Sequence, residues 1–102
     1  MDCLFCGIKS DVYENDSFVV VKDINPKAEI HFLIIPKKHI ESISHLEPED
    51  KDLMGEMMLI AQKVAKDKGI ESYNLQINVG RKAGQVIDHV HMHLLSGKKL
   101  CH

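Results

Sequence analysis

Apolar positions come first in short β-branched runs, then at a helical period, then again in alternation. Ser17-Phe18-Val19-Val20-Val21-Lys22 reads as a strand, with Val12-Tyr13-Glu14 before Asn15-Asp16 as its hairpin partner. Ile24 to Lys27 is a turn, and His31-Phe32-Leu33-Ile34-Ile35 is an apolar strand that Pro36 ends, since proline cannot donate to a ladder. From Glu49 to Lys68 the period changes. Leu53, Met57, Ile60, Ala61 and Val64 share one helical face, Pro48 suits the first turn and Gly69 the left-handed stop. Met54, Met57 and Met58 read as core filler. Tyr73 to Val79 alternates as a half-buried strand, Gly80 to Gly84 is a loop, and a last strand covers about residues 88 to 95. Short loops and more strands than helices predict an α+β fold, an antiparallel sheet backed by one main helix.

The last strand carries the chemistry. His89, His91 and His93 alternate with Val90, Met92 and Leu94, so in an extended segment the three imidazoles share one face. Neutral imidazole is a nucleophile, a general base and a metal ligand near pH 7. The plain alternative is a solvated strand that happens to carry histidines, and another makes all three the ligands of one catalytic ion.

Composition narrows the classes. The 102 residues are 44% hydrophobic and 27% charged, as expected for one soluble domain spanning residues 1–102. A formal net charge of −2 offers no basic excess for a phosphate backbone, which argues against nucleic acid as partner. No run approaches membrane-spanning length and Met1-Asp2-Cys3 does not open a signal peptide, so a cytoplasmic location away from membranes is expected. Three cysteines without a secretory signal argue against a disulfide scaffold.

The string His89-Val90-His91-Met92-His93-Leu94-Leu95 resembles the signature of the histidine triad (HIT) superfamily, in which histidines alternate with apolar residues. Asp23-Ile24-Asn25-Pro26, the run His31 to Ile40 with Pro36-Lys37-Lys38-His39, and Gly84-Gln85 resemble its Hint-like branch in order and spacing over nearly the whole chain. The resemblance implies a five-stranded antiparallel sheet, one main helix, a short N-terminal helix and a homodimer. Residues 49–68 and Tyr73–Val79 would lie at its interface.

It also implies chemistry at the α-phosphate of a purine nucleoside monophosphate derivative of the AMP or GMP type. His91 would attack phosphorus to form a nucleotidyl-histidine, which water hydrolyses, and His31 would lie beside it in an accessory role. His93, Asn78, Gly84 and Gln85 would hold the phosphate and Asp23 the ribose, since a carboxylate accepts two hydroxyl hydrogen bonds well. Leu4, Phe5, Ile8, Val21, Ile24 and Leu33 would line the base; each is equally readable as core packing.

Cys3-Leu4-Phe5-Cys6 is half of a zinc site by spacing alone. The resemblance supplies His39 and His89 as the remaining ligands of a structural zinc, with His45 a rival for His39. A redox pair and two plain buried thiols stay open as alternatives, and Cys101 and His102 are expected to fray.

The chain departs from the Hint-like pattern in three places. Val86 stands where a serine is usual, which removes a hydroxyl from the phosphate and leaving group. The connection from Ile8 to Val12 is short, and before a short tail Ser96-Gly97 follows Leu95 where the dinucleoside polyphosphate hydrolase branch commonly has Pro-Arg. The leading expectation is a nucleoside phosphoramidase. A dinucleoside polyphosphate hydrolase and a nucleotide-binding regulatory protein with little turnover are the alternatives.

Overall fold

A computed structural model describes residues 3–99, so Cys101 and His102 lie outside the described residues. Five strands, β1 (Tyr13–Glu14), β2 (Phe18–Lys22), β3 (Ala28–Pro36), β4 (Asn74–Gln76) and β5 (Met92–Lys99), form one sheet in the order β1-β2-β3-β5-β4. Every neighbouring pair is antiparallel. One long helix, α1 (Lys51–Asp67), packs on one face, which makes the expected α+β arrangement.

The two-residue period of the strands separates two apolar layers. Phe18, Val20, Phe32, Ile34, Met92 and Leu94 point toward α1 and meet its Met57, Ile60, Ala61, Val64 and Ala65. Val19, Val21, Leu33 and Ile35 point the other way, where Phe5 covers them. A strand buried on both faces reads as a continuous apolar run, which accounts for the composition of β2 and β3. Met57 fills the core as expected, whereas Met58 faces outward with 52% exposure, a correction to its reading as filler.

α1 has the ends its sequence asks for, with one refinement. Pro48–Asp50 form a single 3-10 turn whose Glu47 and Asp50 cap each other, and the α-helix proper starts at Lys51. Gly69 takes φ +69°, while Gly69 N–H donates to Lys66 O and Ile70 N–H to Ala65 O. Those two bonds define a Schellman stop, for which a left-handed residue is needed.

Several boundaries differ from the sequence reading: β3 already starts at Ala28 and takes in Pro36, opposite Phe18, instead of ending before it. Residues 4–7 form overlapping turns, through Cys6 N–H to Cys3 O and Ile8 N–H to Phe5 O, where a short helix was expected. β4 is three residues long, shorter than the alternating run from Tyr73 to Val79. β5 begins only at Met92. His89 sits in a bend closed by its own N–H on Ile87 O, and Val90 N–H donates to Ile40 O rather than to a strand partner. Among the described residues no helix is long and apolar enough to cross a membrane.

Candidate functional site

On the sheet face opposite α1 lies a cavity of about 560 Å³. Its walls include the apolar Leu4, Phe5, Ile8, Val21, Ile24 and Leu33 together with Asp23, His31, Asn78, Gly84, His91 and His93. Thus every base, ribose and phosphate residue expected from the sequence lines it, with the exception of Gln85. A larger open cleft of about 930 Å³ runs beside β4 and holds no histidine, so size does not mark the chemistry. Leu4, Ile24 and Val86 are strongly exposed at the cavity, Ile24 to 99%. As base wall, Ile24 is an open lip in this structure.

The histidine rings are sorted by their hydrogen bonds. The His91 ring lies 2.8 Å from the His89 carbonyl through Nδ1, so Nδ1 carries the proton and Nε2 keeps the lone pair. A second chain of bonds sets two further rings. Lys27 N–H donates to His31 Nδ1 at 3.0 Å, so in the neutral ring the proton sits on His31 Nε2. That Nε2–H reaches His93 Nδ1 at 2.8 Å and lies 3.3 Å from the Asp23 carboxylate. His93 is left with its proton on Nε2, a donor on a cavity-lining residue. Asp23, His31 and His93 bring three ligand atoms together, but the Lys27 N–H occupies the one position that would let His31 offer Nε2 as a lone pair.

Both donor rings are neutral at pH 7. Burial, with His91 and His31 close by, pushes the His93 ring down to about 4. Burial also holds His31 below its ordinary value, against the pull of Asp23. An unfolded histidine titrates near 6.5, so between about pH 6.5 and 4 the unfolded chain binds the extra protons. Stability is therefore full above about pH 6.5 and falls as pH drops toward 4. Urea unfolding across that range checks this, and His93→Asn is expected to flatten the slope.

The loop after β4 is built around two amides. Asn78 Nδ2 donates to Ala83 O at 2.8 Å, and Gly84 takes φ +96°, where an added Cβ would meet that same Nδ2 at 3.2 Å. Glycine is thus required both by conformation and by the close approach. Gln85 corrects the sequence reading. Its side chain is 3% exposed, accepts from Gly80 N–H at 2.9 Å and donates to Glu41 O and Ile87 O, so it braces the loop from inside. The backbone N–H groups of Gly84 and Gln85 are likewise used within the turn, on Arg81 O and Gly80 O. The Gly84 amide expected at the phosphate is engaged in this structure, and among the described residues the next one, Val86 N–H, has no partner. Gln85→Leu leaves Gly80 N–H and Glu41 O unpaired, while Ile87 O keeps His89 N–H, and thermal unfolding is expected to show a loss of about 1–3 kcal/mol.

The second cluster lies behind His91. Cys3, Cys6, His39 and His89 place one ligand atom each within 4.8 Å of all the others. Cys3 Sγ is 3.1 Å from His89 Nδ1, Cys6 Sγ is 3.3 Å from His39 Nδ1, and Cys6 Sγ is 3.7 Å from His89 Nδ1. Sulfur and nitrogen on one tetrahedral zinc stand about 3.5 Å apart, from bonds of about 2.3 and 2.0–2.1 Å. His89 Nε2–H donates to Pro36 O at 2.7 Å, which leaves Nδ1 as the lone-pair nitrogen facing the thiols. The four residues therefore fit a closed tetrahedral ion. His45, the rival ligand, is turned to Ser42 and Glu41 instead. His89 faces the thiols, apart from His91 and His93, so the three triad rings do not form one metal set.

Sequence reading overlooked Lys27 and Pro36, which act through the backbone. A buried histidine needs a partner for each ring nitrogen, and that requirement was the available signal, but no residue type announces a backbone donor.

The comparisons agree with this geometry. A family model described as scavenger mRNA decapping enzyme C-term binding matches residues 3–101. Protein HitA of Neisseria gonorrhoeae is 40% identical over 101 residues, covering 92% of this chain and 94% of its own length. A HIT family hydrolase from Legionella pneumophila superposes with TM-score 0.90 at 36% identity, covering 98% of this chain and 96% of that one. A histidine triad nucleotide-binding protein from Candida albicans does so with TM-score 0.81 at 31% identity, over 99% and 81% of the two chains. With a triad whose rings are individually oriented and a fold shared over its length, the chain belongs to the histidine triad (HIT) superfamily.

Proposed function

We propose that this protein is a Hint-like nucleotidyl hydrolase, cleaving purine nucleoside 5′-phosphate derivatives at the α-phosphate through His91. The observation that carries the reading is the 2.8 Å bond from His91 Nδ1–H to the His89 carbonyl, which leaves Nε2 of a cavity-lining ring with the lone pair a nucleophile needs. The hydrolase and nucleotide-binding names of its structural neighbours point the same way.

Nε2 of His91 attacks phosphorus, a P–N bond forms, and the bond to the leaving group breaks as that group takes a proton from solvent, to which the later hydrolysis by water returns one. Water then displaces His91 Nε2, giving the nucleoside monophosphate and restoring the neutral ring. His93 Nε2–H donates to a phosphate oxygen, where charge builds in the transition state. The chain from Lys27 N–H through His31 holds that proton in place. Asp23 would accept from the ribose hydroxyls, and the remaining Asn78 N–H and Val86 N–H would donate to phosphate oxygens. Phe5, Leu33 and Val21 bury one face of the base, with Leu4, Ile8 and Ile24 at its rim.

Cys3, Cys6, His39 and His89 would hold a structural zinc, which when bound supplies a four-coordinate anchor with no open position for water. The protein would act as a homodimer, with α1 and β4 at the interface; a two-fold dimer is the commonest assembly for such a chain.

Val86 favours a second reading. It is 72% exposed, lines the cavity and offers no hydroxyl to a departing amine, which suits a phosphoanhydride substrate or slow turnover. Steady-state rates on adenosine and guanosine 5′-phosphoramidates, beside diadenosine polyphosphates, separate these outcomes. Faster phosphoramidate cleavage supports the leading reading, and faster polyphosphate cleavage supports the second. Tight AMP or GMP binding without turnover on any of them would leave a regulatory nucleotide-binding protein.

A further inference from the structure

His91 lies outside the sheet ladder, which starts one residue later at Met92, so strand hydrogen bonds do not position it. Contacts outside the ladder do. Its Nδ1–H is held by the carbonyl of His89. Its neighbour Val90 is held through N–H on the carbonyl of Ile40, next to His39. Its ring meets the edge of Phe5 at 5.0 Å between centroids, and Phe5 lies between Cys3 and Cys6. The His93 ring also meets His91, at 5.0 Å, but each of the other supports sits on, or directly beside, a member of the Cys3, Cys6, His39 and His89 set. Phe5 also touches the His89 ring, at 6.1 Å, which ties the supports to one another.

We infer that Cys3, Cys6, His39 and His89 are positioning residues for the nucleophile, and that Phe5 transmits their placement to the His91 ring. The inference rests on the reading of His91 as nucleophile. It goes beyond a staple for the N-terminal segment, because a staple placed elsewhere would leave the His91 tautomer untouched. Displacing a reacting atom by about 1 Å costs on the order of a hundredfold in rate, so small shifts in these supports are readable.

The test uses protein with ¹⁵N-labelled histidine, loaded with zinc, and two-bond ¹H–¹⁵N spectra of the His91 ring. A single Nδ1–H tautomer is expected. Exchanging zinc for cadmium, a larger thiophilic ion, should shift the His91 nitrogens and slow single-turnover nucleotidylation about tenfold, while α1 amides stay in place. Phe5→Leu keeps all four ligands and should move the same nitrogens. His91 signals that ignore both changes overturn the inference, as do signals that answer to Phe5→Leu but not to the ion. A chain that takes up no zinc overturns it as well. Should wild-type protein form no nucleotidyl adduct, the hydrolase reading fails, yet the nitrogen signals still decide the positioning role.

Discussion

His91→Asn lowers turnover of a nucleoside 5′-phosphoramidate by at least about a thousandfold, the scale on which loss of a nucleophile is felt. Asparagine keeps a polar N–H near the Nδ1 position but lacks the outer ring atoms, so the lone pair of Nε2 is lost together with part of the buried contact with Phe5. Nucleotide affinity should change far less, because in the proposed mode ribose and base would meet Asp23 and the apolar wall. Steady-state kinetics with product-inhibition constants separates the two effects. His93→Asn should lose less, since the donor assists a reaction that His91 begins. Equal losses from both variants would mean that His91 has no privileged role.

Chelation is the second large effect. A ligand present at a hundred times its dissociation constant stabilises the fold that binds it by about 2.7 kcal/mol. In a domain of this size each kcal/mol is worth about 4–8 °C, so stripping zinc should lower the unfolding midpoint by roughly 10–20 °C. The effect should vanish in a Cys3→Ser, Cys6→Ser chain, because the remaining His39 and His89 cannot close the site. Differential scanning calorimetry with and without chelator, beside metal analysis, checks the prediction. A midpoint that does not move in a zinc-containing wild-type chain would mean that the ion sits elsewhere.

The alternation of apolar residues made β2 and β3 legible, because burial on both faces leaves a continuous run such as Phe18 to Val21. The i, i+3, i+4 stripe and Gly69 did the same for α1. The cavity wall came from the family resemblance, which named every lining histidine and carboxylate. What stayed hidden was carried by the backbone. The alternation of His89, His91 and His93 suggested three equivalent rings on a strand, whereas the strand begins at Met92 and a bend turns His89 toward the thiols. Gln85 was read as a phosphate ligand from its place after Gly84, and only the fold shows its amide spent on Gly80, Glu41 and Ile87. The tautomer of His31 depends on Lys27 N–H, a donor that every residue type except proline carries.

The division of labour among the histidines is tested most directly by trapping the intermediate. Protein mixed with a ³²P-labelled adenosine 5′-phosphoramidate and quenched in alkali is digested and mapped by mass spectrometry. The account predicts an adenylyl group on Nε2 of His91, absent from His91→Asn and retained in Cys3→Ser, even if slower to form. Label on His89 or His93, or turnover at full rate with no label on any histidine, would contradict it.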